Sequence, residues 1–373
     1  MRAAIRGTGS YLPDQVVAND DLERLTDDFD RERSGCTLDE WVTERIGVRR
    51  RHRAAPGEGS AHMALGASRA ALDDSGLSGA DLDLIVLSTF TSDHRLPQSV
   101  SILQRDLESR AKCIQLEAAC AGFVDALAVA TSLMDSMGYV NVLVVHSEVV
   151  SVIQDPRRFL MQAIFADGAG AVVLQPARHD GEGIGAIETF TDGAKADWLQ
   201  SGGGTLSLAT PESIEDGSYY LDIDTKAIFP FAVEKMAASV RSVVARDGRS
   251  IDEVAWVVAH QTGVNITRGV AAELGLDPDL FLMTLEHTGN TSGATIPIAL
   301  DHFNRQGVLA EGDYLVLPTV GAGMAWGAVS CTWAETPVGR RARAARADDP
   351  VIDLTVEAHQ PALGATRDPL LVP

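Results

Sequence analysis

A cysteine lies where an apolar extended run gives way to a helical one. Residues 113–116 are mostly apolar, and residues 123–134 are apolar nearly all round, which is typical of a helix buried on every side. Helix N-termini carry partial positive charge and free N–H groups that favour a thiolate over a thiol. Cys120, between the two runs, is therefore a candidate nucleophile, although a lone cysteine is more often a small buried residue.

Two further motifs supply polar groups that could act with this cysteine. Residues 256–263 read WVVAHQTG, a short apolar strand that ends in His260. Residues 286–293 read EHTGNTSG, a glycine-flanked turn that contains Asn290 and enters another apolar helix. Each motif alone is usually structural. Together with Cys120 they form a Cys/His/Asn set at loop ends, where catalytic side chains tend to lie.

These motifs resemble those of the beta-ketoacyl-ACP synthase III group of the thiolase superfamily. The resemblance runs from about Arg2 to Trp333. It rests on AACAGF around Cys120, HQTG with His260, GNTSGATIPIALD with Asn290, GAGMAWG at 321–327, TLDEW at 37–41, RIGVR at 45–49 and FADGAGA at 165–171. It implies an α/β fold of the thiolase type, a duplicated αβαβα layered arrangement of two pseudo-equivalent halves.

The order of the predicted elements also indicates an internal duplication. Residues 254–259 resemble residues 82–87, and the Asn290 turn with its helix resembles the Cys120 turn with its helix. The repeat is close to half the chain length, too long for a solenoid unit. We predict an N-terminal half at 1–180 with the cysteine, a surface connection over the site at 181–224, a C-terminal half at 225–335 with the histidine and asparagine, and a tail at 336–373.

Composition limits the partners and the compartment. Acidic residues outnumber basic ones by 52 to 31 in the 373 residues, and the net charge is −21, which argues against nucleic acid as a partner. The four cysteines form no CxxC pair and no zinc-ligand spacing, so neither a disulfide framework nor a metal site is indicated, and a reducing cytoplasm fits best. The sequence shows no apolar signal core, and no uncharged run approaches roughly 18 residues, so no membrane span is expected.

The resemblance implies a decarboxylative condensation. Cys120 would attack an acyl thioester and hold the acyl group, with the backbone N–H groups of Cys120 and Ala322 as the oxyanion donors. His260 and Asn290 would stabilise the enolate formed from a malonyl-type thioester as carbon dioxide leaves. No metal or redox cofactor is required, and the coenzyme A thioester is a substrate.

The resemblance also assigns residues to substrate binding. Trp41 would stack on the adenine of coenzyme A, with Thr37 and Arg45 as its neighbours and nearby arginines as phosphate contacts. The remaining substrate-binding assignments are Arg158, Phe159, Phe229, Gly263 and Leu96. Among these, Phe159 stands where an arginine often completes the adenine sandwich, and Gly263 replaces an asparagine. Leu96 matches a position that crosses the interface of a homodimer, which is the expected assembly.

The chain departs from the family pattern where an acyl carrier protein would dock. Positions that carry basic residues in carrier-dependent relatives read Pro230, Asn265, Ala272 and Glu273 here. An acidic carrier protein should therefore be recruited weakly, which favours a coenzyme A thioester or a dedicated carrier. Glu117, three residues before the nucleophile, replaces a small residue and is either a solvated carboxylate or a charge that selects the substrate.

Other functions remain open from the sequence. A thiolase-fold acyltransferase would pass the acyl group from Cys120 to a hydroxyl, amine or thiol, and the reduced docking charge favours it, whereas the retained Asn290 counts against it. A papain-like protease also uses Cys, His and Asn, but the duplication and the absence of a Cys-Gly-Ser-Cys-Trp motif argue against that class. A non-catalytic scaffold is the weakest alternative because all three side chains are present.

Overall fold

The computed structural model describes residues 2–26 and 28–348. The strands are β1 (Ala3–Tyr11), β2 (Gln15–Ala18), β3 (Arg50–Arg53), β4 (Leu84–Ser88), β5 (Lys112–Leu116), β6 (Val142–Val149), β7 (Asp167–Pro176), β8 (Gly183–Thr191), β9 (Leu199–Gln200), β10 (Asp222–Ile223), β11 (Trp256–Val257), β12 (Tyr314–Gly321) and β13 (Ala325–Thr332). The helices are α1 (Asn19–Leu25), α2 (Arg31–Ser34), α3 (Leu38–Arg45), α4 (Ser60–Ser75), α5 (Ser99–Asp106), α6 (Gly122–Met137), α7 (Phe159–Ile164), α8 (Pro211–Glu215), α9 (Thr225–Arg246), α10 (Val264–Leu274), α11 (Leu285–Thr288), α12 (Thr295–Arg305) and α13 (Pro337–Asp348).

The first sheet belongs to the N-terminal half. Its order is β1-β7-β6-β4-β5, with β4 parallel to both β5 and β6 and with β7 antiparallel to β1 and β6. Every residue of β4 and β6 is buried, as expected for strands covered on both faces. Strand β5 forms the outer edge of this sheet.

The second sheet repeats that arrangement. Its order is β11-β12-β13-β8, and β11 runs parallel to β12 while β13 is antiparallel to β12 and β8. The counterpart of β5 is a single parallel bridge between Val257 and Phe281. The strand pairing therefore repeats from one sheet to the other, as the sequence predicted.

The layers have three cores. Helices α6 and α12 lie between the sheets and share one apolar core, which includes Phe123 and Leu127 from α6 and Ile296 and Leu300 from α12. Helix α4 covers the outer face of the first sheet, and α9 and α10 cover the outer face of the second. The predicted αβαβα layered fold is confirmed.

The predicted surface connection at 181–224 differs from the structure in its first part. Residues Gly183–Thr191 form β8, which pairs with β13 and completes the second sheet. The C-terminal repeat thus begins near residue 183, because this strand is needed to match β1 of the other half. The rest of the segment, residues 193–224, consists of short elements with exposed apolar side chains such as Leu206 and Leu208.

The predicted tail also begins differently. Helix α13 packs on α12 and α4, and Thr336 before it is fully buried. The hydroxyl of Thr336 accepts a hydrogen bond from Asn304 at 2.9 Å, and Val338 N–H donates to Asp74 at 2.7 Å. The tail is therefore part of the folded unit as far as residue 348, while residues 349–373 lie outside the described residues.

One helical stretch of the described chain, Ala119–Met137, has the length and apolar composition of a membrane span. Its buried residues pack between the two sheets, in the core that α6 shares with α12. The same composition is expected of the central helix of a layered α/β protein. The sequence predicted a helix buried on every side, whereas Val129 and Leu133 are only half-buried and Met137 is exposed.

Candidate active site

Cys120 lies on a tight turn between β5 and α6. The turn is a 3-10 segment, Ala119–Ala121, and Ala119 has a φ angle of 43°, which is uncommon for a residue with a side chain. Thr319 on β12 donates a hydrogen bond to the Cys120 carbonyl at 2.9 Å. A Cβ at Gly321 would lie 3.0 Å from the Cys120 nitrogen, so the second repeat must have a glycine there. The two halves thus fix the turn together.

The Cys120 thiol is protonated at rest. Burial raises its pKa to about 11, a hydrogen bond from Ser292 opposes that shift, and the charge of Glu148 adds to it. The Ser292 hydroxyl donates to the sulfur at 3.3 Å. The start of a helix was expected to favour the thiolate, but desolvation outweighs that effect here. A reaction at this sulfur would therefore have to include the loss of its proton.

His260 follows β11 and is buried. Its backbone N–H donates to the Pro318 carbonyl at 2.9 Å, and its Nδ1 lies 2.8 Å from the Thr295 hydroxyl. Burial and, next, the charge of His146 lower its pKa to about 3, so the imidazole is neutral at ordinary pH. Its Nε2 has no hydrogen-bond partner among the described residues, which leaves this nitrogen for a ligand.

Thr295 controls which nitrogen of His260 carries the proton. The Thr295 hydroxyl can donate to the Ser292 carbonyl at 3.0 Å while it accepts the Gln261 N–H at 3.3 Å. In that arrangement His260 Nδ1 must be the donor to Thr295, and Nε2 holds a lone pair. If the hydroxyl instead turns to Nδ1, Nε2 carries the proton and can donate to a substrate oxygen.

Both backbone polar groups of Asn290 are hydrogen-bonded to residues of the first repeat. Its N–H donates to the Ile164 carbonyl and its own carbonyl accepts from Ala166 N–H, each at 2.9 Å. Its side-chain oxygen accepts the Ser292 N–H at 2.8 Å, so the amide NH₂ is the end that can donate to a ligand.

Ser292 connects the three predicted groups. Its hydroxyl contacts the Cys120 sulfur, its N–H contacts the Asn290 side chain, and its carbonyl accepts from Thr295, which holds His260. It also has a φ angle of 58°. Sequence reasoning assigned no role to Ser292 or Thr295, although both lie inside the motif GNTSGAT, and the only signal was their position beside Asn290.

The predicted coenzyme A residues come together, but not as an open platform. Trp41 is 6% exposed and Phe159 is 4% exposed. The two rings pack edge to face with centroids 5.4 Å apart, Phe29 packs on both, and the Arg45 guanidinium lies 5.2 Å from the Trp41 ring centre. Adenine stacking on Trp41 therefore requires these rings to separate, and it stays a prediction.

The neighbouring polar groups already have partners. The Thr37 hydroxyl caps α3 by accepting the Glu40 N–H, and Arg158 lies 3.2 Å from Asp28. Arg51 and Arg53, which follow Arg45 in the same basic segment, are buried. Arg51 donates to Val17, Asn19 and Ala163, and Arg53 donates to Gln154 and Gln162. These two arginines hold β3 in place, and phosphate contact by the arginines near Trp41 stays a prediction.

The remaining predicted residues are spread around the site. Ala322 lies in the turn directly after Gly321, which contacts Cys120, and Phe229 is half-buried near the start of α9. Gly263 precedes α10, and a Cβ there would meet only the Ile46 carbonyl, at 3.6 Å, so a side chain has room. Leu96 is 85% exposed. Glu117 is exposed at the end of β5.

Comparisons with known proteins agree with this arrangement. The family profile for 3-oxoacyl-[acyl-carrier-protein] synthase III matches residues 114–193, and the profile for its C-terminal part matches residues 244–333. The beta-ketoacyl-[acyl-carrier-protein] synthase III of a Ruegeria species is 38% identical over 337 residues, which cover 89% of this chain and 99% of the relative. The synthase III of Roseiflexus castenholzii is 37% identical over 333 residues, with 89% and 98% covered.

Solved structures show the same fold. The crystal structure of the 3-oxoacyl-(acyl carrier protein) synthase III of Pseudomonas aeruginosa has a TM-score of 0.80 and 35% identity, with 89% of this chain and 98% of that chain covered. The corresponding structure from Aquifex aeolicus has a TM-score of 0.80 and 32% identity, with 89% and 100% covered. The duplicated fold and the cysteine at its first central helix define a condensing enzyme of the thiolase superfamily. The chain belongs to the 3-oxoacyl-[acyl-carrier-protein] synthase III family.

Proposed function

We propose that this enzyme loads an acyl group onto Cys120 and extends it by decarboxylative condensation with a malonyl-type thioester. The observation that carries the proposal is the set of contacts around Ser292, which links the sulfur of Cys120 to the Asn290 side chain and, through Thr295, to His260. A nucleophile and two hydrogen-bonding groups at one point suit a reaction that needs both an acyl carrier and enolate stabilisation.

The first half-reaction forms a thioester on the enzyme. The Cys120 sulfur attacks the carbonyl carbon of the acyl thioester, the bond to the donor thiol breaks, and the proton of Cys120 leaves with that thiol. The tetrahedral oxyanion needs two donors, which we assign to the backbone N–H groups of Cys120 and Ala322.

The second half-reaction makes the carbon–carbon bond. The malonyl carboxylate leaves as carbon dioxide, and the electron pair of the broken bond forms an enolate. We assign the donors to that enolate oxygen as the Asn290 NH₂ and His260 Nε2–H, the latter supplied when Thr295 turns to Nδ1. The enolate carbon attacks the Cys120 thioester, and the released thiolate takes up a proton. The steps use only thioesters and groups of this chain.

Substitution of the three side chains tests these roles. Cys120→Ala should form no acyl adduct with acyl-CoA. His260→Ala and Asn290→Ala should still acylate but release carbon dioxide from malonyl thioesters about 10²–10³-fold more slowly. Intact-protein mass spectrometry measures the acyl adduct, and the release of labelled carbon dioxide from malonyl thioesters measures the decarboxylation. An unchanged adduct on Cys120→Ala would refute the nucleophile. Ester or amide formation without carbon dioxide would instead support the acyltransferase alternative.

The charge around the proposed docking positions argues for weak recognition of an acidic carrier. Glu273 forms an ion pair with Arg241 at 3.3 Å, and the Asn265 amide donates to the Arg45 carbonyl, so neither position offers a cation. We propose that acyl-CoA is the primer and that a malonyl group on CoA or on a carrier protein is the extender. The ratio of kcat/KM for malonyl-CoA and malonyl-carrier protein, measured at 50 and 300 mM salt, tests this. Strong loss of carrier-protein activity at high salt would contradict it.

The exposed edge of the first sheet fits a homodimer. In the part of the chain that the structure describes, one edge of strand β5 has no neighbouring strand. Its residues Cys113, Ile114 and Leu116 are only half-buried, and Leu96 is 85% exposed. A strand edge with unpaired backbone groups and partly exposed apolar side chains is a surface on which a second chain can pair. Sedimentation analysis should give a dimer, and Ile114→Lys should shift it towards monomer. The cysteines at positions 36, 113, 120 and 331 are all unpaired, which suits the reducing cytoplasm that we propose as the compartment.

A further inference from the structure

A histidine and a glutamate with no assigned role are buried behind the active-site turns. His146 and Glu148 are both on β6, both have no exposed surface, and His146 Nε2 lies 3.2 Å from Glu148 Oε1. Burying one isolated charge is costly, whereas a close pair of opposite charges offsets much of that cost. The pair is therefore either charged on both residues or neutral on both.

The surroundings of Glu148 favour the charged form. Its carboxylate accepts hydrogen bonds from the N–H groups of Phe90 and Thr91 and from the hydroxyls of Thr89 and Thr91, the last at 2.6 Å. A carboxylate that receives this many donors is stabilised as an anion. The imidazole beside it is then favoured as the cation.

The imidazole of His146 is wedged between the two helix starts that form the site. A Cβ at Gly293 would lie 2.4 Å from His146 Cε1, and a Cβ at Gly122 would lie 3.0 Å from the same atom. Gly293 directly follows Ser292, and Gly122 is two residues after Cys120. Neither ring nitrogen of His146 has a hydrogen-bond partner among the described residues, so the contact of Nε2 with Glu148 at 3.2 Å is an approach of the two groups without hydrogen-bond geometry. The ring therefore fills the space behind both turns and brings its charge there.

Other titratable groups on the elements packed around this pair are few. Cys120 precedes α6, Asp125 lies half-buried in the first turn of α6, and the neutral His260 follows β11. On β7, the Asp167 carboxylate accepts hydrogen bonds from the N–H groups of Ala54 and Ser151 and from the Ser151 hydroxyl. Glu148 is the anion that disfavours loss of the Cys120 proton, and His146 is the charge closest to Glu148.

We propose that His146 is a positioning residue that offsets the charge of Glu148 and supports the Ser292–Gly293 turn, so that Cys120 can lose its proton when it attacks the thioester. Without the imidazolium, an uncompensated carboxylate would repel the developing thiolate through a low-dielectric interior. This inference rests on the proposed nucleophile, Cys120. It adds that a residue behind the turn, which touches no substrate, contributes to how readily that thiol loses its proton.

The test measures how fast Cys120 is alkylated by iodoacetamide between pH 6 and pH 10, by mass spectrometry of its peptide. The peptide of Cys36 serves as the internal control. His146→Gln should move the pH profile of Cys120 upward by about one unit, which makes alkylation roughly tenfold slower at a given pH below the midpoint. His146→Gln/Glu148→Gln should return the profile to within about 0.3 unit of the wild type, because both charges are then gone.

The outcomes separate charge from shape. Because the Cys120 pKa of about 11 lies above this pH range, the rescue separates the two roles. A purely steric role would slow alkylation as much in His146→Gln/Glu148→Gln as in His146→Gln alone. Glu148→Gln alone should not raise the profile, and a rise would overturn the inference, as would an unchanged profile in a folded His146→Gln protein. If His146→Gln fails to fold, the pH profile of Cys120 alkylation in Glu148→Gln is the test. A downward shift of that profile supports the inference, and an upward shift or no shift contradicts it. Acylation of the wild type by acyl-CoA is measured in parallel, because its absence would refute the proposed function and leave the alkylation result standing.

Discussion

Ala119 and Ser292 occupy the same place in the two repeats, and both have a positive φ angle, 43° and 58°. Each begins a 3-10 turn that leads into a central helix, α6 in one half and α12 in the other. In the first repeat the next residue is Cys120, and in the second it is Gly293. The backbone has been kept in both repeats, while the side chains that follow it differ.

Each turn is packed against a strand of the other repeat. Thr319 and Gly321 of β12 contact Cys120, and His146 of β6 contacts Gly293. In the first repeat the large side chain at this contact, Cys120, belongs to the turn and faces a glycine on the strand. In the second repeat the large side chain, His146, belongs to the strand and faces a glycine on the turn. Only one of the two turns can therefore carry a nucleophile. A cysteine in place of Gly293 would have no room, because the imidazole of His146 occupies the space next to that residue.

The largest expected difference between the two repeats is at the ends of the matching strands β4 and β11. His260 follows β11 and contacts Thr295 at the start of α12, whereas Ser88 ends β4 and lies close to Gly122 at the start of α6. His260→Ala should reduce malonyl decarboxylation about 10²–10³-fold, the usual cost of losing one oxyanion donor. Carbon dioxide release measures it.

Ser88→Ala is the matched control. The Ser88 hydroxyl is buried and has no hydrogen-bond partner among the described residues, so its removal should leave decarboxylation and thermal stability nearly unchanged. A comparable loss in both variants would show that the two strand ends act alike, contrary to the comparison drawn here.

The half-reactions at Cys120 and at His260 should also depend differently on pH. The pKa of Cys120 is raised to about 11, so its thiolate fraction, and with it the rate of self-acylation, should rise about tenfold per unit from pH 7 to pH 9. The pKa of His260 is lowered to about 3, so this group stays neutral and decarboxylation by preformed acyl-enzyme should be flat from pH 5 to pH 9. Single-turnover measurements of each half-reaction check this. A plateau in acylation near pH 7 would contradict it.

Gly293→Ala tests the steric part of the comparison. The added Cβ would meet His146 Cε1 at 2.4 Å, and overpacking of this kind costs about 1–3 kcal/mol in the free energy of unfolding. Denaturant unfolding measures the loss. The double variant Gly293→Ala/His146→Ala should recover part of it, because the opposing ring is gone. No recovery would mean that the glycine is required for another reason.

The smallest effect is expected at the strained residues themselves. Ala119→Gly relieves a positive φ angle but adds freedom to the unfolded chain, so the free energy of unfolding should change by less than about 1 kcal/mol. Ser292→Gly relieves the same conformation yet removes the hydroxyl that donates to Cys120. It should therefore slow self-acylation more than Ala119→Gly does. Equal acylation rates in the two variants would show that this hydroxyl has no effect on the thiol.

The sequence predicted the parts of the molecule that depend on local pattern. Cys120, His260 and Asn290 each follow an apolar run and sit in a polar or glycine-containing turn, so their place at element ends could be inferred. The duplicated order of strands and buried helices could also be inferred, because buried strands and helices have distinct apolar patterns. The matching sheet orders of the structure confirm that duplication.

The missed features depend on contacts between distant segments. Strand β8 was taken for loop because its neighbours are rich in glycine and acidic residues, and only pairing with β13 makes it a strand. Trp41 was expected to be open, but Phe29 and Phe159 from other segments cover it. Ser292 and Thr295 lie inside a motif that was noticed, yet their hydrogen bonds to Cys120 and His260 join positions 172 and 35 residues apart.

The docking of α13 has a consequence for the duplicated chain as a whole. Asn304 on α12 donates to Thr8 on β1, to Asp74 on α4 and to Thr336 just before α13, and Asp74 in turn accepts from Val338. The end of the described chain thus fastens the second repeat to the first at a buried polar junction. If either repeat were expressed alone, these buried polar groups would lose their hydrogen-bond partners. The two repeats should therefore unfold together in a single cooperative transition.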